Sequence, residues 1–140
     1  MKPWRLVVDT NLLVSALLFD GYVSRLVGLL ETGDVRLLVS RPILEEYLRV
    51  LGYQKFRLQE TEINFLTNEY ILRFAETVNV VEMRQVSIDK DDDKFVECAL
   101  AGLADAVISG DKHLLTLGTV DGIPILTLRT FISELLDREV

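Results

Sequence analysis

Three aspartates stand where an α/β protein could keep reactive groups. Asp9 closes the apolar run "WRLVVD" (4–9), Asp111 follows "DAVISG" (105–110), and Asp93 ends the cluster in "SIDKDDDKFVECA" (87–99), which also holds Asp89, Asp91 and Asp92. Continuous apolar runs of this length predict buried parallel strands. In an open parallel sheet, ligands bind beyond the carboxyl ends of the strands, near a switch in strand order. If the two strands are neighbours, Asp9 and Asp111 approach one another. The helix predicted to begin at Asp93 leads into the strand before Asp111, so all three acids can be aimed at one point. Ionised carboxylates that face each other need a proton or a cation between them. Oxygen-only ligands favour magnesium or manganese over zinc, and a single histidine (His113) and a single cysteine (Cys98) do not make a zinc set. A hard divalent ion can polarise a phosphodiester and lower the pKa of a bound water. The chemistry these residues point to is metal-assisted phosphodiester hydrolysis.

Each acid also has a plainer reading. Asp9 could cap a helix or form a turn, and Asp111 could cap a turn with Gly110. Asp91 and Asp92 are expected to be helix-start charges, worth about 0.3–1 kcal/mol each. Asp89 and Asp105 could support the site from outside or simply be exposed. A calcium loop does not fit, because Lys94 stands where an EF-hand requires glycine and Leu100 where it requires glutamate. Cys98, between apolar neighbours, is expected to be a buried, inert thiol.

The elements that must position these acids alternate along the chain. "TNLLVSALLF" and "VSRLVGLLETG" have helical spacing, with Gly33 placed as a cap. "VRLLVS" (35–40) is a second strand, and Ser40 opens a helix with Pro42 in its first turn. That helix runs through "PILEEYLRVLGY", and a second amphipathic helix is expected over 60–76, with Ile63, Leu66, Tyr70 and Phe74 facing the core or a dimer partner. "VNVVE" (78–82) is a short strand or a connector. "KFVECALAGLA" is helical, "IPILT" (123–127) is a fourth strand, and "RTFISELLDREV" closes with an amphipathic helix. On the helix after Ser40, the apolar face set by Leu44, Tyr47, Leu48 and Leu51 barely separates Glu45 from Glu46. The expected fold is α/β, a three-layer α/β/α sandwich around a mainly parallel central sheet, and residues 1–140 are expected to form a single domain.

Composition narrows the class. With 49% hydrophobic and 26% charged residues the chain is globular in character. A formal charge of −7 argues against a nucleic-acid partner at first sight. Carboxylates gathered for a cation lower the formal charge in the same way, so the objection is weak. The first apolar run meets Asp9 too soon for a signal peptide, and no stretch is long enough to span a bilayer. No membrane association and a cytoplasmic location are the expectations.

The motifs "VVDTNLLVSAL", "SRPILEEYLRVL", "DDDKFVECALAGLADAVISGDKHLL" and "IPILTLRTFISEL" together resemble a PIN domain. They are similar to the PIN-family toxins related to the VapC ribonucleases of toxin–antitoxin operons. The resemblance covers almost the whole chain and carries the family's acids onto Asp9, Glu46, Asp93 and Asp111, which it implies are catalytic and hold one or two magnesium or manganese ions. Thr10, Asn11 and Ser109 match residues that support such a site. One departure is Leu128, where many relatives have proline. The resemblance implies an endoribonuclease leaving 5′-phosphate and 3′-hydroxyl ends, a cognate antitoxin protein and a homodimer. Arg41, Arg49, Lys55 and Arg57 surround Glu46 and could contact RNA phosphates.

Two rivals come from other classes. An aspartyl-nucleophile phosphatase needs a second acid two positions after the first, and Asn11 is there instead. No GxxxxGK or GxGxxG turn supports nucleotide binding. The non-enzyme rival is an inactive PIN module acting by protein binding.

Overall fold

The computed structural model describes residues 2–80 and 92–137. Asp89, Asp91 and the end of the expected 78–82 strand lie outside the described residues. Strands β1 (Trp4–Val8), β2 (Val35–Val39), β3 (Ala75–Thr77), β4 (Ala106–Ile108), β5 (Thr119–Val120) and β6 (Ile123–Leu126) form one sheet in the order β3-β2-β1-β4-β6-β5. All neighbours are parallel except β5 and β6. The order reverses at β1, which pairs with β2 on one side and β4 on the other.

Consecutive residues Leu6, Val7 and Val8 are fully buried, as are Leu37 and Leu38 and, in β4, Ala106 and Ile108. Successive strand side chains point to opposite faces, so unbroken burial requires cover on both. The helices supply it: α1 (Thr10–Leu18), α2 (Arg25–Thr32), α3 (Arg41–Leu51), α4 (Glu60–Leu66), α5 (Asp93–Gly102), α6 (Lys112–Leu117) and α7 (Leu128–Thr130). The result is the expected three-layer α/β/α sandwich. Helix α2 ends at Gly33 in the left-handed region (φ 83°), the C-cap that its sequence position predicted. Among the described residues no single helix is long and apolar enough to cross a membrane.

Two expectations of element extent need correction. The helix expected over 60–76 stops earlier: α4 gives way to a π-helical stretch (Thr67–Leu72), and Ala75–Thr77 become strand β3. Here pairing overrides propensity, because Leu37, Leu38 and Val39 of β2 offer a ladder to Ala75, Glu76 and Thr77. Val78 extends that ladder through its N–H to the Val39 carbonyl at 2.7 Å. The C-terminal segment is a short α7 continued by a π-helical turn (Phe131–Leu136). Helix α6 and the β5–β6 hairpin were not anticipated. Asp121 (φ 48°) and Gly122 (φ 84°) form the hairpin turn, and an Asp-Gly pair between short apolar runs is its sequence signal. Of the apolar stripe on α4 and its extension, Ile63, Leu66 and Phe74 pack against the core, and Tyr70 stacks edge-on against Phe65.

The last residue of α5 meets the sheet closely. A Cβ at Gly102 would lie 2.9 Å from Val78 Cγ2 and 3.0 Å from Leu38 Cδ1. Arg5, paired through both guanidinium amines with Glu76, also donates to the Gly102 carbonyl at 2.7 Å. Alanine would gain helix propensity but force apart a stiff valine and a buried leucine. Gly102→Ala should therefore lower stability by about 1–3 kcal/mol in urea unfolding; a neutral or stabilising effect would contradict this packing.

Candidate active site

Adjacency of β1 and β4 puts Asp9 and Asp111 on the same rim. The Asp9 N–H donates to the Ile108 carbonyl at 3.0 Å, so the residue sits at the end of the ladder. Its carboxylate is buried and divided: Oδ1 accepts from the Leu12 N–H at 2.9 Å, capping α1, and Oδ2 accepts from the Ser109 hydroxyl. The same Ser109 Oγ accepts from the Asp111 N–H at 2.9 Å. One hydroxyl thus ties the first acid to the last. Asp111 in turn caps α6, its Oδ1 accepting from the His113 N–H at 2.8 Å. Both aspartates are helix caps, as the plainer reading had it, but capping engages only one oxygen of each.

Glu46 reaches this rim because Tyr47 fixes its helix. The buried Tyr47 hydroxyl donates to the Val8 carbonyl at the end of β1, which holds α3 against the strand that delivers Asp9. The neighbouring Glu46 then accepts from the Thr10 hydroxyl through Oε2, and through Oε1 from Lys94 at 2.8 Å and Arg49 at 3.3 Å. Periodicity could not separate Glu45 from Glu46; the structure does. The Glu46 side chain is 14% exposed, whereas Glu45 is 66% exposed and pairs with the surface Arg41.

Asp93 is the first residue of α5 and is buried. Asp92 occupies the N-cap position, as expected of a helix-start charge, but it too is buried, not a solvated charge on the rim. The first turn of α5 is drawn against α3, where Lys94 meets Glu46. Asp105 belongs elsewhere: it precedes β4, at the opposite rim, and its Oδ2 accepts from the Arg5 N–H at 2.8 Å.

The contacts form a run from Asp111 through Ser109 to Asp9, then from Thr10 through Glu46 to Lys94, the residue after Asp93. Of the expected supporting residues, Thr10 and Ser109 bind the acids directly. Asn11 is exposed on the first turn of α1, and no hydrogen bond ties it to them among the described residues. Of the four basic residues, Arg49 alone touches an acid of the quartet. Lys55 and Arg57 are exposed beyond the end of α3, Lys55 lying 5.1 Å over the Phe56 ring. Cys98 is buried, and burial pushes its thiol pKa up to about 12, which makes it inert. Lys94 escaped the sequence reading, although a cation in a helix's first turn is electrostatically misplaced and could have flagged it.

Burial raises the Asp9 pKa above the ordinary carboxylate range, and the charge of Asp111 pushes it the same way; hydrogen bonds from Ser109, Leu12 and Gly110 offset part of the shift. A desolvated carboxylate beside a second acid, with oxygen donors around it, suits a hard divalent cation. Among the described residues, no three acidic, imidazole or thiol side chains stand together as a ready-made cage. The acids rest instead on hydroxyl, amide and ammonium donors.

A family model described as "PIN domain" matches residues 5–113. The chain belongs to the PIN-domain family. Two solved structures share the fold. One is the PIN domain endonuclease Utp24, with a TM-score of 0.55 and 20% identity, covering 90% of this chain and 86% of the other. The second is VapBC2 from Rickettsia felis, solved bound to a DNA fragment from its promoter, with a TM-score of 0.57 and 16% identity, covering 86% of this chain and 96% of the other. A search of curated proteins finds no match.

Because the folded pKa of Asp9 is raised, its ionisation destabilises the ion-free protein. That loss is absent below the unfolded carboxylate range, near about pH 4, and grows as the pH rises towards the elevated folded pKa. Asp9→Asn keeps the capping acceptor and removes the charge, but turns an amide NH2 towards the Ser109 hydroxyl, so the pH dependence is the readout. In EDTA the wild type should lose stability to urea relative to Asp9→Asn as the pH rises from about 4 towards neutral. A stability difference between the two that stays constant over that range would refute the raised pKa.

Proposed function

We propose that this PIN domain is a magnesium- or manganese-dependent endoribonuclease, the toxin of a toxin–antitoxin pair, in which Asp9, Glu46, Asp93 and Asp111 hold one or two ions. The observation that carries the reading is the set of contacts that gathers Asp111, Asp9 and Glu46 at the strand-order switch, where α/β sheets bind ligands, with Asp93 buried in the adjoining first turn of α5.

Within this reading the roles follow from the contacts. Ser109 orients Asp9 and fixes the backbone of Asp111; Thr10 orients Glu46; Tyr47 sets the height of α3 over the strand ends. A divalent ion, when bound, supplies charge stabilisation at phosphorus and lowers the pKa of the attacking water. Arg49 stands beside Glu46, where it can meet a backbone phosphate, and Arg41, Lys55 and Arg57 extend a basic flank along α3 and the turn after it. Small acidic domains that act on RNA need such local positive charge, because affinity for nucleic acid comes mostly from phosphate contacts. A single domain over 1–140, a homodimer, a cognate antitoxin and a cytoplasmic location complete the proposal.

The second reading, an inactive PIN module that acts by protein binding, draws on Glu46, whose carboxylate oxygens are both engaged by protein donors. Metal titration separates the two, since an inactive module should show no saturable manganese binding.

The deciding experiment is cleavage of end-labelled single-stranded RNA with manganese. Wild-type protein should cut, and EDTA should stop it. Asp9→Asn and Asp93→Asn should reduce cleavage to background while circular dichroism stays native. Ser109→Ala should lower the rate about 10–100-fold, the usual scale for losing a group that orients a metal ligand. Undiminished cutting by either Asn variant would overturn the assignment of the acids.

A further inference from the structure

Lys94 is the one residue in the run of contacts that carries a positive charge into its interior. Its side chain is 18% exposed and its ammonium lies 2.8 Å from Glu46 Oε1, itself on a side chain only 14% exposed. Arg49 reaches the same oxygen from outside, at 3.3 Å, with a side chain 64% exposed. Lys94 is the second residue of α5. There the helix's own N-terminal amides are electropositive, so an ammonium is disfavoured and desolvation adds to the penalty. An ion pair that only fastened α3 to α5 would be better placed elsewhere. Glu46 is what holds the charge in.

We propose that Lys94 is a tethered counter-cation of the acidic site: it neutralises and positions Glu46 in the ion-free protein, and a divalent cation must take Glu46 Oε1 from it. The inference rests on the reading of the acids as a divalent-cation site, and it deepens that reading by making Lys94 a resident competitor. Two observations support it together. Oε1 of Glu46 is already committed to Lys94, while Oε2 is committed to Thr10. Lys94 directly follows Asp93, so the same first turn that supplies one acid supplies the charge that satisfies another. The lysine would offset the charge of Glu46 beside the other acids and would keep apparent ion affinity below what the carboxylates alone could reach.

The test is calorimetric titration of manganese chloride into EDTA-stripped protein, with thermal unfolding followed in parallel. Lys94→Met keeps the aliphatic stem and removes the charge; Lys94→Gln is a second charge-free variant should the methionine misfold. Both should bind manganese at least about tenfold more tightly than wild type, the direction and minimum scale expected on removing a unit charge at close range. Their unfolding midpoints should also rise more on adding manganese. Lys94→Arg should bind as wild type does. In a Glu46→Gln background, the Lys94→Met gain should vanish, because the competition runs through that carboxylate. Unchanged or weaker manganese binding in both charge-free variants, with wild type binding saturably, would overturn the role of Lys94 and leave the metal site standing. No saturable binding in wild type or any variant would overturn both.

Discussion

The contact on which the site depends is the hydroxyl of Ser109 on the buried carboxylate of Asp9. It exists only because β1 and β4 are parallel neighbours in register, Val8 opposite Ile108. Each strand then delivers its next residues to one rim, where a single hydroxyl can accept from the Asp111 amide and donate to Asp9. A desolvated carboxylate is unfavourable without such partners. The fold tolerates Asp9 there because Leu12, Gly110 and Ser109 all donate to it.

Around that contact the molecule assembles the remaining acids by indirect means. Tyr47 does not belong to the acidic set, yet its hydroxyl on the Val8 carbonyl determines where Glu46 sits. Thr10, one residue past Asp9, receives Glu46 from above. Lys94 ties the start of α5, where Asp93 is the first residue, to Glu46 on α3. Helix caps serve double duty: Asp9 and Asp111 each use one oxygen to start a helix, which fixes their side chains at no further entropic expense. Rigid first-turn placement is what a site needing convergent carboxylates requires.

The same economy explains the acidic cluster before α5. Four aspartates in five positions look repulsive along the sequence, but they do not act as one unit. Asp93 and Asp92 are buried at the start of the helix, and the positive charge nearest to them in the chain, Lys94, is turned to Glu46 instead of to solvent. Charge balance in this region is therefore tertiary, achieved between α3 and α5, and no count of local residues could have given it. Membership of the PIN-domain family agrees with this architecture.

By itself the sequence determined the alternation of strands and helices, the burial of the central strands on both faces, and the candidacy of Asp9, Asp93 and Asp111. Those features rest on local pattern: unbroken apolar runs, strand-end acids and helix-start signals act over a few residues and are legible there. The choice of Glu46 over Glu45 was legible only through family resemblance, since both lie near the edge of the apolar face. The tertiary structure alone decided that β3 forms where a helix was expected, that Asp92 is buried, that Asp105 faces the opposite rim, and that Lys94 enters the site. Each of these depends on what packs against the residue from a distant part of the chain, and pairing or desolvation by such a neighbour outweighs the few tenths of a kcal/mol by which local propensities differ.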